Sequence, residues 1–355
     1  MRITSNIRNS AVAGVALAAV LGGSIFTANT SNAAETWVLG SAQPAITGMA
    51  QTLKNVFVPR LENFSNGQID VNEQYLTGLC SEHTCIEQML GGLIRLATSS
   101  TENAGAFGSD IDLLNLPYIF KDLHWANQIT TDWLRDELNV PMEKNMKLRM
   151  LGVIVNGGFR HTINNLREVR VPSDLKGIKI RVTKSPAAFN LFKAWGAQPV
   201  PYDWSQLYMG LQAKVVNGMY IPTVWVEVTK MYEVANHVTL TGGAIVFNGL
   251  YIGSEFYRGL KPDLKKAVDM AGDSFQRLQW GYDSEWRKDF EQRLINHGGL
   301  LYQPTEAEMD LWRAGALAVW QDQMKIGLDT KIVRRILEEQ SMDKFIKVLE
   351  KGGVL

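Results

Sequence analysis

The chain has 355 residues, and its 36 lysines and arginines balance 36 aspartates and glutamates, so the formal net charge is zero. This balance argues against nucleic acid or an anionic membrane surface as the main partner, because both attract strongly basic proteins. The length suggests two domains. No apolar run after residue 33 is long enough to span a bilayer, so we expect no membrane insertion of the mature chain.

The first 33 residues have the pattern of an export signal. Two arginines, a short apolar run and a small-residue cleavage site follow in order: Arg2, Arg8, residues 11–21 and residues 31–33. The apolar run is too short to cross a bilayer comfortably. We therefore predict an exported protein whose signal peptide is cleaved near Ala33 or Ala34. A retained N-terminal anchor is the alternative.

Strand and helix patterns alternate in the stretch that follows. Residues 36–41 read as a strand that leads into a loop with Gln43, and residues 69–75 read as a second strand. Between them lies a helical pattern over residues 46–64. Pro59 falls inside it and should kink the helix.

Two cysteines, Cys80 and Cys85, lie five positions apart. A short disulfide loop is the natural interpretation in an oxidising compartment. A metal site is the competing interpretation, since His83 lies between the two cysteines. That site would lack a fourth ligand and a second cysteine pair. We predict a disulfide and no metal ion.

A third strand, residues 93–98, runs into a polar stretch over residues 99–103 that we predict to be a loop. This stretch lies where the carboxyl end of a strand should open toward a cleft. Glu102 and Asn103, like Gln43 after the first strand, could exchange hydrogen bonds with ligand hydroxyls. A solvated loop is the alternative for all three.

Two glycine pairs mark the points where the chain should pass between domains. A buried strand over residues 148–156 ends at Gly157-Gly158, shortly before Arg160. Glycine gives the backbone freedom that suits a hinge or a close approach to a ligand. Residues 238–252, around the second pair Gly242-Gly243, are the candidate return crossing.

Residues 174–222 read as strand, helix, strand, helix, strand, with Arg181 near the end of the first strand. Units of this kind build parallel sheets, and ligands usually bind beyond the carboxyl ends of the strands. A guanidinium presents a planar fork that matches a carboxylate. Arg181 is therefore a candidate carboxylate ligand, and an interlobe salt bridge is the alternative. The rest of the chain, including one very long helix or two over residues 262–297, reads as helical.

The order and spacing of four segments resemble the substrate-binding proteins of TRAP (tripartite ATP-independent periplasmic) transporters, the DctP family. They are LLNLPYIFKD (113–122), LKGIKIRV (175–182), WGAQPVPYDWSQLYMGLQAKVVNG (195–218) and KMYEVANHVTLT (230–241). The resemblance implies an α/β, two-lobed periplasmic-binding-protein-like fold with crossing strands and a long hinge-spanning helix.

The same resemblance implies the domain boundaries. The first lobe should hold residues 34–157 plus roughly 245–285, and the second lobe residues 158–244 plus roughly 286–300. Residues 301–355 should form C-terminal helices that pack on the lobes.

The implied function is periplasmic capture of an organic acid and its delivery to a TRAP membrane permease driven by an ion gradient. No cofactor is expected. There are two alternatives. The protein could be a receptor for an ABC permease or a sensor, or it could be a periplasmic enzyme acting on an organic acid. The five histidines are scattered and belong to no catalytic motif, so we expect no enzyme.

The resemblance also assigns site residues. The arginine that clamps the substrate carboxylate falls at Arg181, a second basic position at Arg160, and the aromatic position that packs on the ligand at Trp204. Ordinary interdomain pairing is the alternative for Arg160. Tyr220 and Trp225, close to the expected cleft, are further candidates, because aromatic rings bury large areas and stack on flat ligands. A place in the core is the alternative for both.

One position departs from the family pattern. Residues 217–222 read NGMYIP, so Ile221 stands where the family often has a polar amide. This departure weakens the case for a short dicarboxylate or a sialic-acid-like ligand held by that amide. We expect a carboxylate with a sizeable apolar or aromatic part.

Overall fold

A computed structural model describes residues 34–76, 78–286 and 289–355. The predicted signal peptide, residues 1–33, lies outside the described residues. Within them, no helix has both the length and the apolar character that crossing a membrane requires.

The described strands fall into two sheets of five and six strands. In chain order they are β1 (Glu35–Ser41), β2 (Ile69–Tyr75), β3 (Leu96–Ser100), β4 (Leu148–Phe159), β5 (His161–Asn164), β6 (Lys179–Val182), β7 (Gln198–Pro201), β8 (Gly218–Ile221), β9 (His237–Thr239), β10 (Ile245–Gly253) and β11 (Leu300–Tyr302).

The described helices flank these sheets. They are α1 (Gly48–Thr52), α2 (Val58–Phe64), α3 (Glu82–Leu90), α4 (Thr101–Ala104), α5 (Leu123–Ile129), α6 (Arg135–Asn145), α7 (Pro186–Ala194), α8 (Leu207–Gln212), α9 (Thr223–Val228), α10 (Ser254–Gly259), α11 (Pro262–Trp286), α12 (Phe290–Asn296), α13 (Glu306–Lys325), α14 (Thr330–Glu339) and α15 (Asp343–Lys351).

Each sheet is the centre of one lobe. The first sheet has the order β2-β1-β3-β10-β4, with β1, β2 and β3 parallel and β10 antiparallel to both of its neighbours. The second sheet has the order β11-β9-β5-β8-β6-β7, in which β6 runs parallel to β7 and β8. The predicted two-lobed α/β fold is confirmed. We call the lobes first and second in this order; their residue boundaries stay a prediction.

The chain crosses between the lobes where β4 leads into β5 and where β9 leads into β10. The two crossings touch, because the backbone N–H of Arg160 donates to the carbonyl of Ala244 at 2.7 Å. Gly157-Gly158 lie near the end of β4, and Gly242-Gly243 lie between β9 and β10.

Helices connect the two lobes. α11 packs along the first sheet and reaches the crossing, where Asp283 Oδ1 accepts from the N–H of Gly157 at 3.2 Å. α12 packs on α9 of the second lobe, so the predicted helical stretch 262–297, as two helices, contacts both lobes. On α13, Trp312 packs in the core of the second lobe and Trp320 in that of the first.

Helix termini follow the sequence signals closely. Ser185 caps α7, whose first residue is Pro186, and Thr305 forms a capping box at the start of α13. A π-helical turn, Leu53–Phe57, lies directly before Pro59 and separates α1 from α2. A proline lacks the N–H that would continue the ladder, so the predicted irregularity appears there as a change of helix type.

Gly157 is held at φ +91° in the crossing strand, where a side chain would collide with the second lobe. A Cβ at this position would lie 2.7 Å from both Trp225 Nε1 and Val224 Cγ1. The close approach lets the indole N–H of Trp225 donate to the carbonyl of Asn156 at 3.2 Å. A glycine is required at Gly157 for both backbone conformation and space.

We predict that Gly157→Ala destabilises the protein by about 3 kcal/mol, because left-handed strain and overpacking add. Gly67→Ala is the matched control, since Gly67 has φ +70° but nothing within 4 Å of its Cβ position. The control should lose about 1 kcal/mol from strain alone. Urea unfolding midpoints of the two variants measure the difference. Equal losses would show that packing at the crossing contributes nothing.

Candidate functional site

A cleft lies between the lobes and holds about 370 Å³ of space, part of which is open to solvent. Both lobes and both crossing strands contribute to its walls. The lining residues are Gln43, Glu82, Ser100, Asn103, Asn156, Arg160, Arg181, Thr183, Trp204, Ile221, Pro222, Trp225, Val246 and Asn248.

Arg181 brings a buried cation into this cavity. It is the third residue of β6 and is 2% exposed. Its Nε donates to the carbonyl of Tyr202 at 2.8 Å, and its guanidinium lies 5.9 Å from the ring centroid of Trp204. Among the described residues, no acceptor bonds to its two Nη groups. The planar fork of donors is thus available on the cavity side of the strand.

Burial and, to a smaller extent, repulsion from Arg160 lower the pKa of Arg181 to about 10, while Glu82 and Glu102 act in the opposite direction. The guanidinium still carries its proton at neutral pH. A buried charge without a close partner is costly. An anion bound at this fork would offset that cost.

Arg160 already has a carboxylate partner. Its Nη2 lies 2.9 Å from Glu102 Oε2, both side chains being 4% exposed, and its Nη1 donates to the carbonyl of Tyr220 at 2.9 Å. Its Nε has no partner among the described residues. Glu102 also accepts from Thr183 Oγ1 at 2.9 Å. Glu102 of the first lobe therefore fastens the crossing and the second lobe to each other.

Glu82 organises the wall that the first lobe contributes. It opens α3 and is 9% exposed. Its carboxylate accepts from Gln43 Nε2 at 3.2 Å, from Ser100 Oγ at 2.8 Å and from Asn103 Nδ2. Gln43 and Ser100 stand at the carboxyl ends of β1 and β3, where α/β folds usually bind ligands.

The predicted polar loop over residues 99–103 is wrong. Ser99 and Ser100 finish β3, and Thr101–Ala104 form the short helix α4. Ser100 caps that helix by accepting from the N–H of Asn103 at 3.3 Å. A serine at a strand end can accept a hydrogen bond from a backbone N–H a few residues later. This bond caps a helix N-terminus and so stabilises a helix where we predicted a loop.

Three buried amide atoms of the cavity residues have no hydrogen-bond partner among the described residues: Gln43 Oε1, Asn156 Oδ1 and Asn248 Nδ2. Two are acceptors and one is a donor. A hydroxyl group both donates and accepts, so it can satisfy either kind. Unpaired buried polar atoms destabilise a protein, which makes them candidate ligand contacts.

The remaining wall is apolar and belongs mainly to the second lobe. Ile221 and Trp225 are buried, and the rings of Trp204 and Trp225 meet edge to face with centroids 5.7 Å apart. Pro222 and Val246 complete this side. The apolar wall expected from Ile221 is present.

Seven of the nine predicted substrate-binding residues line the cavity: Gln43, Asn103, Arg160, Arg181, Trp204, Ile221 and Trp225. Glu102 and Tyr220 do not line it. Successive side chains of a strand point to opposite faces, so Tyr220 packs against Phe192 and Trp195 while Ile221 faces the cavity.

Sequence reasoning missed half of the wall: Glu82, Ser100, Asn156, Thr183, Pro222, Val246 and Asn248. A usable signal existed for Asn156 and Asn248, since each is a polar residue within an otherwise apolar strand. A buried amide inside such a strand needs a partner. Glu82 carried no such signal, because acidic residues are common in the first turn of a helix.

The predicted disulfide is confirmed. Cys80 and Cys85 are joined, with their Cα atoms 5.0 Å apart. Both sulfurs are engaged in this bond, so they cannot act as thiolate ligands of a metal ion. The bond encloses the capping residue Ser81 and Glu82.

Residues 39–326 match the model of the family described as bacterial extracellular solute-binding protein, family 7 (DctP). The chain belongs to this family. The resemblance inferred from the four sequence segments is confirmed.

Curated relatives of the chain include binding proteins. The 2,3-diketo-L-gulonate-binding periplasmic protein of Escherichia coli K12 is 30% identical over 183 residues, which cover 52% of this chain and 55% of that protein. The chain thus spans about half the length of that relative. The ectoine/5-hydroxyectoine-binding periplasmic protein of Ruegeria pomeroyi is 26% identical over 271 residues, 76% of each chain.

Solved structures show the same fold. A TRAP periplasmic solute-binding protein from Haemophilus influenzae with bound L-gulonate superposes with a TM-score of 0.79 at 19% identity, covering 85% of this chain and 99% of that one. One from Bordetella bronchiseptica, with density assigned to pantoate, has a TM-score of 0.77 at 22% identity, covering 85% and 98%.

A buried carboxyl group lies behind Glu102. Asp112 is 1% exposed, and its Oδ1 accepts from Asn115 Nδ2 at 3.2 Å. Asn115 in turn accepts from Thr101 at 2.6 Å. Burial raises the pKa of Asp112 to about 7, and the neighbouring charge of Glu102 adds to the shift.

We predict that Asp112 makes stability fall as the pH rises. Its folded pKa lies above its unfolded value of 3.8, so its contribution is fully present below the unfolded pKa and is lost as pH rises through about 7. From pH 5 to pH 8, the wild type should lose roughly 2–3 kcal/mol relative to Asp112→Asn. Urea unfolding at both pH values measures this, with Asp110→Asn as the control from the same turn. Parallel pH profiles for Asp112→Asn and the wild type would contradict it.

Proposed function

We propose that this protein is a periplasmic receptor for a small monocarboxylate that carries hydroxyl groups. It would deliver this acid to the ion-gradient-driven membrane permease of a TRAP transporter and would catalyse no reaction. The observation that carries the proposal is the buried guanidinium of Arg181, whose two Nη groups have no acceptor among the described residues.

The ligand carboxylate is assigned to Arg181. The Nη groups can hold both carboxylate oxygens, and the bond from Nε to Tyr202 fixes the plane of the fork. Trp204 packs beside this guanidinium and shields the pair from water. Arg160 can add its Nε, which has no partner among the described residues, while its Nη groups already bond to Glu102 and Tyr220.

The hydroxyl groups are assigned to the first lobe and the crossing strands. Gln43 Oε1 and Asn156 Oδ1 can accept from hydroxyls, and Asn248 Nδ2 can donate to one. Glu82 makes this side of the cavity negative. A second carboxylate would meet that charge, which argues against dicarboxylates.

The expectation of an apolar ligand part came from the second-lobe wall alone. That wall suits the carbon backbone of the acid, which can pack against Ile221 and the two tryptophans. The polar first-lobe wall narrows the expectation, because a wholly aromatic or aliphatic tail would leave Gln43, Asn156 and Asn248 unpaired. A hydroxylated acid with a compact apolar face satisfies both walls.

Capture is proposed to proceed by lobe closure. A ligand shifts the equilibrium between open and closed lobes only by its differential affinity for the two states. Arg181 on the second lobe and Gln43 on the first can contact one small molecule together only when the lobes are closed.

The predicted signal peptide supports a periplasmic location. Co-purification with membrane permease subunits, rather than with an ABC permease or a sensor, would support the proposed partner. Conversion of the bound acid to a product would overturn the non-enzymatic role.

We predict that Arg181→Ala weakens binding of the acid by about 100-fold, ~3 kcal/mol, because the fork to the carboxylate is lost. Arg181→Lys should recover only part of this, since an ammonium keeps the charge but not the planar geometry. Isothermal titration calorimetry measures both. Arg170→Ala, an exposed arginine of the second lobe, is the control. A loss of less than a few-fold for Arg181→Ala would refute the carboxylate assignment.

A panel of acids tests the chemical class. We expect thermal stabilisation by at least one of pantoate, L-gulonate, D-glucuronate and D-erythronate, and little by succinate or benzoate. Pantoate joins two hydroxyls to a compact branched apolar part, so it probes both walls. Tight binding of succinate alone would overturn the proposed ligand class. Ligand carried through purification, identified by mass spectrometry, gives an independent answer.

A further inference from the structure

We propose that the Cys80–Cys85 disulfide positions Glu82, and that Glu82 in this position determines the selectivity of the cleft for hydroxylated monocarboxylates over dicarboxylates. The selectivity role rests on the proposed function. The positioning role depends on contacts within the protein alone.

Glu82 lies inside the loop that the disulfide closes. Cys80 precedes the capping residue Ser81, and Cys85 lies in the first turn of α3. Ser81 and Thr84 form a reciprocal capping box within the same loop. The first residue of α3 is therefore held by a covalent bond and by a cap together.

The disulfide also fixes this loop to the first sheet. A Cβ at Gly40 of β1 would lie 3.0 Å from Cys80 Sγ and 3.3 Å from Cys85 Sγ. The two sulfurs therefore pack against the backbone of β1, at a residue without a side chain, and Cys85 is fully buried. β1 ends one residue later and leads to Gln43. The disulfide thus sets the distance between Glu82 and β1, the strand that leads to its hydrogen-bond partner Gln43.

A loop this short limits what the disulfide can add to overall stability. In the chain-entropy account the stabilisation grows with the number of residues enclosed, and only five positions separate these cysteines. The main consequence is local. Small displacements of a site residue are costly when several hydrogen bonds converge on it.

Glu82 is such a point of convergence. Its carboxylate holds Gln43, Ser100 and Asn103, which come from three different elements of the first lobe. Because Gln43 donates its Nε2 to Glu82, its Oε1 is fixed as an acceptor. Displacement of Glu82 would free the Gln43 amide to turn and would leave the other two side chains without their shared acceptor.

This arrangement gives Glu82 its effect on selectivity. A carboxylate at this wall accepts from a ligand hydroxyl and repels a second ligand carboxylate. A glutamine at this position would keep an acceptor but would not repel a second carboxylate, and a displaced residue would do neither. The charge and the position of Glu82 are both required.

The test is a double-mutant cycle. The chains are the wild type, Cys80→Ala/Cys85→Ala, Glu82→Gln and the triple variant, titrated calorimetrically with pantoate, L-gulonate, D-glucuronate and succinate. We expect the affinity ratio of the best hydroxylated acid over succinate to fall at least 10-fold in Glu82→Gln and several-fold in the cysteine variant. The triple variant should equal Glu82→Gln, because residues that act through one another are not additive. Additive losses, or an unchanged ratio in the cysteine variant, would overturn the proposal.

Thr305→Ala is the matched control. It breaks a capping box of the same kind at the start of α13, among residues that do not line the cleft. It should lower thermal stability without changing the affinity ratio.

If the cysteine variant does not fold, the wild type treated with a phosphine replaces it. The disulfide then gains two electrons and two protons to give two thiols, and the phosphine becomes its oxide with oxygen from water.

Hydrogen exchange without any acid separates the two parts of the proposal. Loss of the disulfide should speed amide exchange at Gln43 and Asn103, whose N–H groups donate to Ser41 and Ser100, and not in α14 or α15. Faster exchange confined to residues 78–90 would overturn the positioning role. Failure of the wild type to bind any of the four acids would overturn the proposed function and the selectivity role with it, while exchange still decides the positioning role.

Discussion

The cleft depends on the burial of two guanidinium groups beside each other. Each costs desolvation energy, and each raises the cost of the other by repulsion, which contributes to the lowered pKa of Arg181. Glu102 compensates one of them by pairing with Arg160 at 2.9 Å. The other, Arg181, has no acceptor at its Nη groups among the described residues, and in the proposed function a bound anion neutralises it. One buried arginine thus belongs to an internal ion pair and the other to the proposed binding site.

The crossing strands make this division possible. Arg160 stands between β4 and β5, so its backbone belongs to the hinge, where its N–H bonds to the other crossing. Its side chain can therefore pair with Glu102 of the first lobe while its Nη1 bonds to the backbone of Tyr220 in the second. Thr183 adds a further bond from the second lobe to the same carboxylate. If the lobes close as proposed, closure and the pairing of Arg160 are therefore coupled.

Local pattern predicted the strands and the placement of Arg181 near a strand end, because these depend on neighbours in sequence. The fold and the roles of Arg160 and Trp204 came from the order of several segments rather than from any one residue. Tyr220 could have been excluded, since it and Ile221 are adjacent in one strand and cannot face the same side. Glu82 could not have been found in this way. Its importance arises from three partners that are distant in sequence, and only the packing of α3 on the first sheet brings them together.

Ile221 stands in the second lobe where the family often has an amide, whereas Asn156 and Asn248 provide amides on the crossing strands. Their location on these strands affects how a ligand would influence lobe closure. Contacts to a hinge strand can form whether the lobes are open or closed, so they add affinity without favouring either state. Arg181 and Glu82 lie on separate lobes, and a ligand can contact both only after closure. Under the proposed function, the free energy that drives closure comes from the charged groups of the two walls, and the asparagines add affinity in both states.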